Sequence, residues 1–401
     1  MSKKSQITQD IEDLYAMEYA YENVKNIAIK VQESEICQKD PRIFNRSTYF
    51  LYEIIFLIFA AMLSGAMSFK QMEAFGIREL KWLRLFLPYE SGTPSHDTIR
   101  RIVNMLNPNK VMNLCQELIE TIRQESSGKQ IALDGKAVIG HYDSPGNRTV
   151  LSVSAYDVDS GISLAQKTTH NDENKEEGEF QATDKLLNII EIKDKVLTGD
   201  AGLCYESILK KITQARGNYV FALKKNHPAL YSEAEKLFGK NSVDNDNIKT
   251  YETEESGHGR KERRQYRVLD IEKDFPKESK LTGLRSIIQV ETTRTVRNQK
   301  STFEDRYYIS SLCSDDYKEI SQLIRNHWSI ENKLHYVLDV TFKEDDTRSR
   351  NRYGVENLLI FRRLVLTLIN RVKNKESTPQ ILFQNALDRD YRTAFLARLL
   401  F

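Results

Sequence analysis

The sequence predicts a mixed α/β fold behind an all-helical N-terminal region. Two observations predict it. Residues 1–125 hold helix-length runs separated by breakers. From Ser126-Ser127-Gly128 onward, short apolar runs of strand composition alternate with helical runs.

In the N-terminal region, residues 1–40 are charged and helix-prone. Residues 47–67 read as a strongly apolar helix, followed by shorter helices over 69–74 and 79–87. Pro88 and then Ser91-Gly92-Thr93-Pro94 break the pattern. Ser95 can cap a helix over 96–106 by accepting a hydrogen bond from a backbone N–H of the first turn. Asn107-Pro108 ends it, and 110–124 forms the next.

The rest of the chain alternates. Residues 131–135 are a short strand ending in Asp134-Gly135. Strands over 149–158 and 161–168 form a hairpin through Asp159-Ser160. A helix over 179–190 follows, then a strand over 195–200 ending in Asp200. A helix over 205–214 and a strand over 219–223 come next. This order indicates a sheet with mixed strand directions. Residues 240–280 are polar, with a loop at 241–247. Strands resume near 264–269, 284–292 and 306–310. Helices over 317–334 or beyond and over 355–371 close the chain. The division expected is 1–125 for the helical domain and 126–401 for the α/β domain, with a polar insertion near 240–280.

Composition narrows the class. The chain has 401 residues, 40% hydrophobic and 29% charged, enough for a sizeable core. Net charge is only +2, so any polyanionic partner must be met by local clusters. Cys37, Cys115, Cys204 and Cys313 lie far apart with no C-x-x-C pair, which argues against a zinc cluster or disulfide framework. The first residues lack an apolar signal core, and the run 54–63 is too short to span a bilayer. A cytoplasmic protein with no membrane partner is the expectation.

The chemistry sits on acids. Asp134 and Asp200 each end an apolar strand and each precede a glycine, Gly135 directly and Gly202 after Ala201. Carboxylates at the ends of neighbouring strands converge at one rim of a sheet. Two such acids repel unless a cation neutralises them, and hard oxygen ligands favour Mg²⁺ or Mn²⁺. Aspartate is also common at strand ends with no such role. Further on, His327, Glu331 and His335 follow one another at intervals of four, so a helix puts them on one face. That face can be a plain polar one. It can also suggest zinc, although H-x-x-x-E-x-x-x-H is not the H-E-x-x-H of metalloproteases.

The sequence resembles the H-repeat-associated proteins, ISAs-type insertion-sequence transposases with a DDE domain. The resemblance covers nearly the whole chain. It is carried by Asp40-Pro41-Arg42, by Pro94-Ser95-His96-Asp97-Thr98 and by I-A-L-D-G-K at 131–136. It continues through the strand ending at Asp200, Y-V-F-A-L-K-K-N at 219–226, and Gly257-His258-Gly259-Arg260. H-W-S-I-E-N at 327–332 and L-D-V-T-F-K-E-D at 338–345 complete it. The surroundings of Asp200, T-G-D-A-G-L-C, keep the family's Asp-Ala step and vary around it.

That resemblance implies an RNase H-like fold with Asp134, Asp200 and Glu331 as the catalytic, metal-holding triad. It implies metal-dependent cleavage of element ends and strand transfer into target DNA, using Mg²⁺ or Mn²⁺. Asp339 and Asp345 are rival acids near Glu331. Double-stranded DNA, as terminal repeats and target, is the expected partner, with a homodimer and a nucleoid location. Basic residues near the acids are the expected phosphate contacts: Lys136, Lys224 with Lys225, Arg260 and Arg264 within a basic strand, and His327. Arg348, Arg350 and Arg352 are a further cluster. Solvated charged faces are the plainer reading of each. Two other functions stay open: a catalytically silent, transposase-derived DNA-binding protein, and an RNase H-like nuclease without strand transfer.

Overall fold

The structure is a computed structural model. It describes residues 3–43, 47–122, 128–138, 150–169, 171–172, 175–176, 178–239, 247–257, 259–271, 281–296, 300–346, 351–373 and 375–398. The chain forms two compact units. One comprises Met1–Ser126, Val138–Thr149 and Leu334–Phe401, the other Ser127–Ala137 and Val150–Lys333.

The first unit is built from helices of both chain ends. Lys3–Glu33, Leu51–Leu63, Phe69–Leu83, His96–Met105 and Pro108–Ile122 come from the N-terminal stretch. Arg352–Val372, Thr378–Leu387 and Arg389–Ala397 come from the C-terminal one. Leu51–Leu63 is the strongly apolar run, and all its residues but Tyr52 are buried. Among the described residues no helix is long and apolar enough to cross a membrane. Ser95 Oγ accepts the Thr98 backbone N–H at 3.4 Å, the cap expected from sequence.

The sequence divides 69–87 into two helices, but Phe69–Leu83 is one. Gly76 looks like a breaker and is a packing position instead. A Cβ there would lie 2.9 Å from Thr93 Oγ1 and 3.2 Å from Leu57 Cδ1, so only glycine lets the helix come this close. Polar groups brace the interior of this unit. Glu79 accepts from Arg392 Nη2 at 2.6 Å and from Arg389 Nε at 2.7 Å. Trp82 Nε1 donates to Thr393 Oγ1 at 2.9 Å.

The second unit carries one nine-stranded mixed sheet. Its strands are β1 (Gln130–Val138), β2 (Val150–Asp157), β3 (Ile162–Thr168), β4 (Val196–Gly199), β5 (Asn218–Leu223), β6 (Lys249–Gly257), β7 (Arg260–Asp270), β8 (Ser286–Val296) and β9 (Thr302–Ser310). Their spatial order is β3-β2-β1-β4-β5-β9-β8-β7-β6. The centre is parallel: β1 pairs with β4 and β4 with β5. The flanks are antiparallel, with the expected β2–β3 hairpin on one side and β5–β9, β9–β8, β8–β7 and β7–β6 on the other.

A parallel strand needs apolar cover on both faces, and this sheet has it. Leu133, Leu197 and Phe221 pack with Ile208 and Ile212 of the Glu206–Gln214 helix and Leu186 of the Glu179–Leu187 helix. Val196, Val220 and Ile288 pack on the other face with Ile320, Leu323 and Ile324 of the Tyr317–His327 helix.

The helices Thr378–Leu387 and Arg389–Ala397 and the short ladder of Asn171–Asp172 with Lys175–Glu176 were not anticipated, and nor were three further elements. The helix Pro228–Leu237 starts with proline in its first turn. The strand β6 lies in the polar stretch 240–280; its residues are mostly exposed because it is the sheet edge. The third is a helical run broken in register at Glu331.

Candidate active site

The acids come together through strand register. Leu133 of β1 pairs with Gly199 of β4, and Asp134 and Asp200 are the next residues of these parallel neighbours. Both aspartates therefore leave the sheet at the same end. Asp134 does not end its strand, as the sequence suggested, because β1 runs on to Val138. Its pairing with β4 is what stops there. The Gly135 backbone N–H donates to Asp134 Oδ1 at 3.0 Å.

Asp200 stands exposed at the tip of β4. Lys224, just past β5, donates to Asp200 Oδ2 at 3.0 Å. Burial acts to raise the Asp200 pKa, but the Lys224 hydrogen bond, the Ala201 backbone N–H and nearby positive charge outweigh it. The carboxyl sits below its ordinary value and is ionised at neutral pH.

Glu331 is the third acid. The sequence predicts one regular helix here. Instead Tyr317–His327 is followed by a π-helical stretch over Ile330–His335, then Tyr336–Val340. Glu331 is the second residue of the π stretch. Such wide turns recur at functional sites because they re-aim a side chain without breaking the helix. Carboxylate oxygens of Asp134 and Glu331 lie within 4.8 Å of each other. Asp134, Asp200 and Glu331 line one open cleft of ≈ 540 Å³, together with Lys224, Lys225, Arg306 and His327.

His327 is held rather than loose. Its Nδ1 lies 3.0 Å from Thr198 Oγ1, on the buried strand β4. Gln130 Nε2 donates to the same hydroxyl at 3.1 Å and to the Leu323 carbonyl at 2.8 Å. Three elements, β1, β4 and the Tyr317–His327 helix, are thus tied by one polar chain beneath the acids.

The other expected contacts divide. Lys224 and Lys225 line the cleft, and Lys136 lies two residues past Asp134, partly buried. The basic strand β7 spends much of its charge inside the sheet. Arg263 pairs with Glu252 at 2.7 Å, Lys261 with Glu254 at 2.7 Å, and Arg264 with Glu262 and, at 3.3 Å, with Glu255. Arg260 is exposed and 3.6 Å from Glu262. Arg348, Arg350 and His258 lie outside the described residues.

Sequence reasoning missed two features of the site, one lining the cleft and one beside it. Arg306 reaches it from β9, hydrogen-bonded through Nε to Glu304 at 2.8 Å and stacked over Trp328 at 5.4 Å. Trp328 is 43% exposed, a large aromatic face open beside the acids. The alternation Glu304-Arg306-Tyr308 along one strand face was the available signal. The second is Glu179, the first residue of its helix. Burial raises its pKa, and the charges of Asp134 and Asp200 raise it further.

Comparison with known proteins gives the family. Residues 126–368 match the family described as Transposase DDE domain, and residues 37–119 match its DDE_Tnp_1-associated region. The transposase-named YncI of Escherichia coli O157:H7 is 32% identical over 81% of this chain and 83% of its own length. YbfL of E. coli K12 is 32% identical over 86% of this chain and 91% of its own. The H repeat-associated, transposase-named YhhI of K12 is 31% identical over 86% and 92%. A solved piggyBac transposase synaptic complex with hairpin DNA aligns at TM-score 0.41 and 12% identity over 95% of this chain and 80% of that one, a likeness too slight to add to the assignment. The chain belongs to the DDE transposases, enzymes of insertion sequences that rely on divalent metal.

Proposed function

We propose that Asp134, Asp200 and Glu331 hold the divalent cations, Mg²⁺ in the first place and Mn²⁺ as its substitute, and that the cleft cuts element ends and joins them to target DNA. The observation that carries this is the convergence of the three carboxylates from β1, β4 and the π-helical stretch on one cleft, with Asp134 and Glu331 oxygens within 4.8 Å. The donor set fits the group: oxygen ligands on elements braced from below suit a hard cation. When bound, such ions activate a water or 3′-hydroxyl and stabilise the leaving oxygen.

The chain's own side chains do the rest. Lys224 offsets Asp200 in the free protein and can turn to a phosphate once that charge is met otherwise. Lys136 and Lys224 are the phosphate contacts of the cleft, and His327, fixed through Thr198, orients the strand. Arg260 extends the path along β7. Arg264 is the weaker DNA contact, because Glu255 and Glu262 already meet its charge. Removing a cleft lysine contact should flatten the slope of log affinity against log salt by about one.

The stretch 126–401 is read as an RNase H-like catalytic domain, although its closing helices belong to the first, helical unit, and 1–125 as the helical transposase-associated domain. Double-stranded DNA is the substrate, which places the enzyme on the nucleoid. A homodimer would present two clefts to the two ends of an element.

The test is cleavage and strand transfer on a labelled duplex carrying the element's ends, in Mg²⁺, for wild type and Glu331→Gln. Nicking and joining by the wild type alone supports the reading. Cleavage without joining favours a nuclease, and binding without cleavage in both proteins favours a silent descendant. Activity that persists in Glu331→Gln removes Glu331 from the site.

A further inference from the structure

We infer that Glu179 is a fourth carboxylate of the same cation centre, seated between the Asp134 and Asp200 turns by the two glycines beside them. The inference rests on the reading of the cleft as a divalent-cation site, and it concerns a residue outside the D-D-E set.

The geometry is specific. A Cβ built on Gly135 would lie 2.5 Å from Glu179 Oε1 and 2.9 Å from its Cδ, a separation that real atoms do not adopt. A Cβ on Gly202 would lie 3.5 Å from Glu179 Oε2. One oxygen of the carboxylate thus faces the residue after Asp134, and the other faces the second residue after Asp200. Any side chain at Gly135 would evict it. The two glycines that follow the paired aspartates are the floor on which Glu179 rests.

Glu179 reaches this place because it opens the Glu179–Leu187 helix, whose buried face, Ala182, Leu186 and Leu187, packs in the core below β1 and β2. Gly178 before it has its N–H taken by Gln181 Oε1 at 2.8 Å, which fixes the helix start. The backbone is therefore held, and from it the side chain reaches Gly135 and Gly202.

Electrostatics then asks what this carboxylate is for. It is half-buried, and among the described residues no hydrogen bond or ion pair is made by its oxygens. Lys224 meets Asp200, not Glu179. A partly buried anion beside two further aspartates, with no donor of its own, is costly unless a cation completes the group. A structural carboxylate at a helix start would turn to the first-turn N–H groups. This one turns to the acids.

The experiment measures Mn²⁺ binding to the full chain without DNA, by loss of the free-ion electron paramagnetic resonance signal. Wild type, Glu179→Gln and Glu331→Gln are compared. Glu179→Asp is added, since it keeps the charge and withdraws the carboxylate by one methylene, and it serves if the Gln variant does not fold. We expect Mn²⁺ affinity to fall about 10- to 100-fold in both Glu179 variants. Wild-type affinity in both, with loss in Glu331→Gln, overturns the inference and leaves the cleft reading standing. Unchanged affinity in all three variants overturns both.

Discussion

Thr198 Oγ1 and His327 Nδ1 are 3.0 Å apart, and the tautomer of His327 decides which one gives the proton. Gln130 must point its Nε2 at the Leu323 carbonyl, which only accepts. The remaining hydrogen on that nitrogen goes to Thr198 Oγ1. The hydroxyl proton is then free for Nδ1, and the tautomer of His327 that carries its proton on Nε2, at the cleft, accepts it there. Thr198→Val keeps the shape and removes the hydroxyl. It should cost about 1–3 kcal/mol, because the Gln130 amide loses an acceptor in a buried place. It should also redistribute the His327 tautomers and lower DNA cleavage while Mn²⁺ affinity holds. Nitrogen-15 spectra of labelled histidine report the tautomer, and an unaltered His327 signal would refute the proton assignment.

Arg325 ties the edge strand β6 to the helix that leads to Glu331. Its Nε and Nη2 donate to Glu255 Oε1 and Oε2 at 2.7 and 2.8 Å, a fork on a carboxylate. The Arg325 hydrogen bond is the largest influence on Glu255. Burial opposes it, the Arg325 and Arg264 charges add to it, and the carboxyl is lowered to about 2. A depressed acid stabilises the fold above its unfolded pKa, ordinarily about 4.3, and that stability drains away as pH falls towards 2. Both side chains are substantially exposed, 40% and 44%, so screening limits the effect to about 1 kcal/mol. Arg325→Met should therefore lower the melting temperature at pH 7 and converge with wild type near pH 2. Parallel melting curves across that window would show the pair to be idle.

How far the site could be read in advance follows from its chemistry. The placing of Asp134 and Asp200 side by side was legible because an apolar run that leads into an acid is a local pattern, even though β1 runs on past Asp134, and the register Leu133↔Gly199 is what two parallel apolar runs produce. The π stretch at 330–335 was not, since residue spacing alone cannot tell a turn widened by one residue from a regular one. Glu179 was hidden for another reason. It reads as a helix-start residue, which it is, and only the approach of the helix to Gly135 turns it towards the acids. The basic strand misled in the opposite way. Arg260 to Arg267 looks like a DNA track along the sequence, while the answering Glu252, Glu254 and Glu255 sit across the ladder on β6.

Glu79 anchors the helical unit through the two arginines of its last helix. The Glu79 side chain is 6% exposed and that of Arg392 1%. Burial would raise the Glu79 pKa, but the hydrogen bonds and charges of Arg389 and Arg392 prevail and lower it. Glu79→Ala should cost about 3–5 kcal/mol, since it strands a buried guanidinium. Replacing Arg392 by Met as well should recover most of that loss, because an apolar side chain suits the space beside Trp82 and Phe75. Urea denaturation of the two single variants and the double reads the coupling directly. A double variant no more stable than Glu79→Ala would mean the guanidinium had found another partner.

Gly199 is the last residue of β4 and sits opposite Phe221 on β5. A Cβ there would lie 2.5 Å from Phe221 Cε1 and 3.0 Å from Cδ1. Phe221 is fully buried among Leu133, Leu197 and Tyr219, so the ring has little space into which it can retreat. Gly199→Ala should therefore overpack the core by about 1–3 kcal/mol. The strain falls one residue before Asp200, so Mn²⁺ affinity should drop along with stability. Phe221→Leu removes the atoms in the way. The double variant should regain stability relative to Gly199→Ala, and with it the Mn²⁺ affinity. If stability returned and affinity did not, the glycine would serve the backbone path into Asp200 and not merely the fit against Phe221.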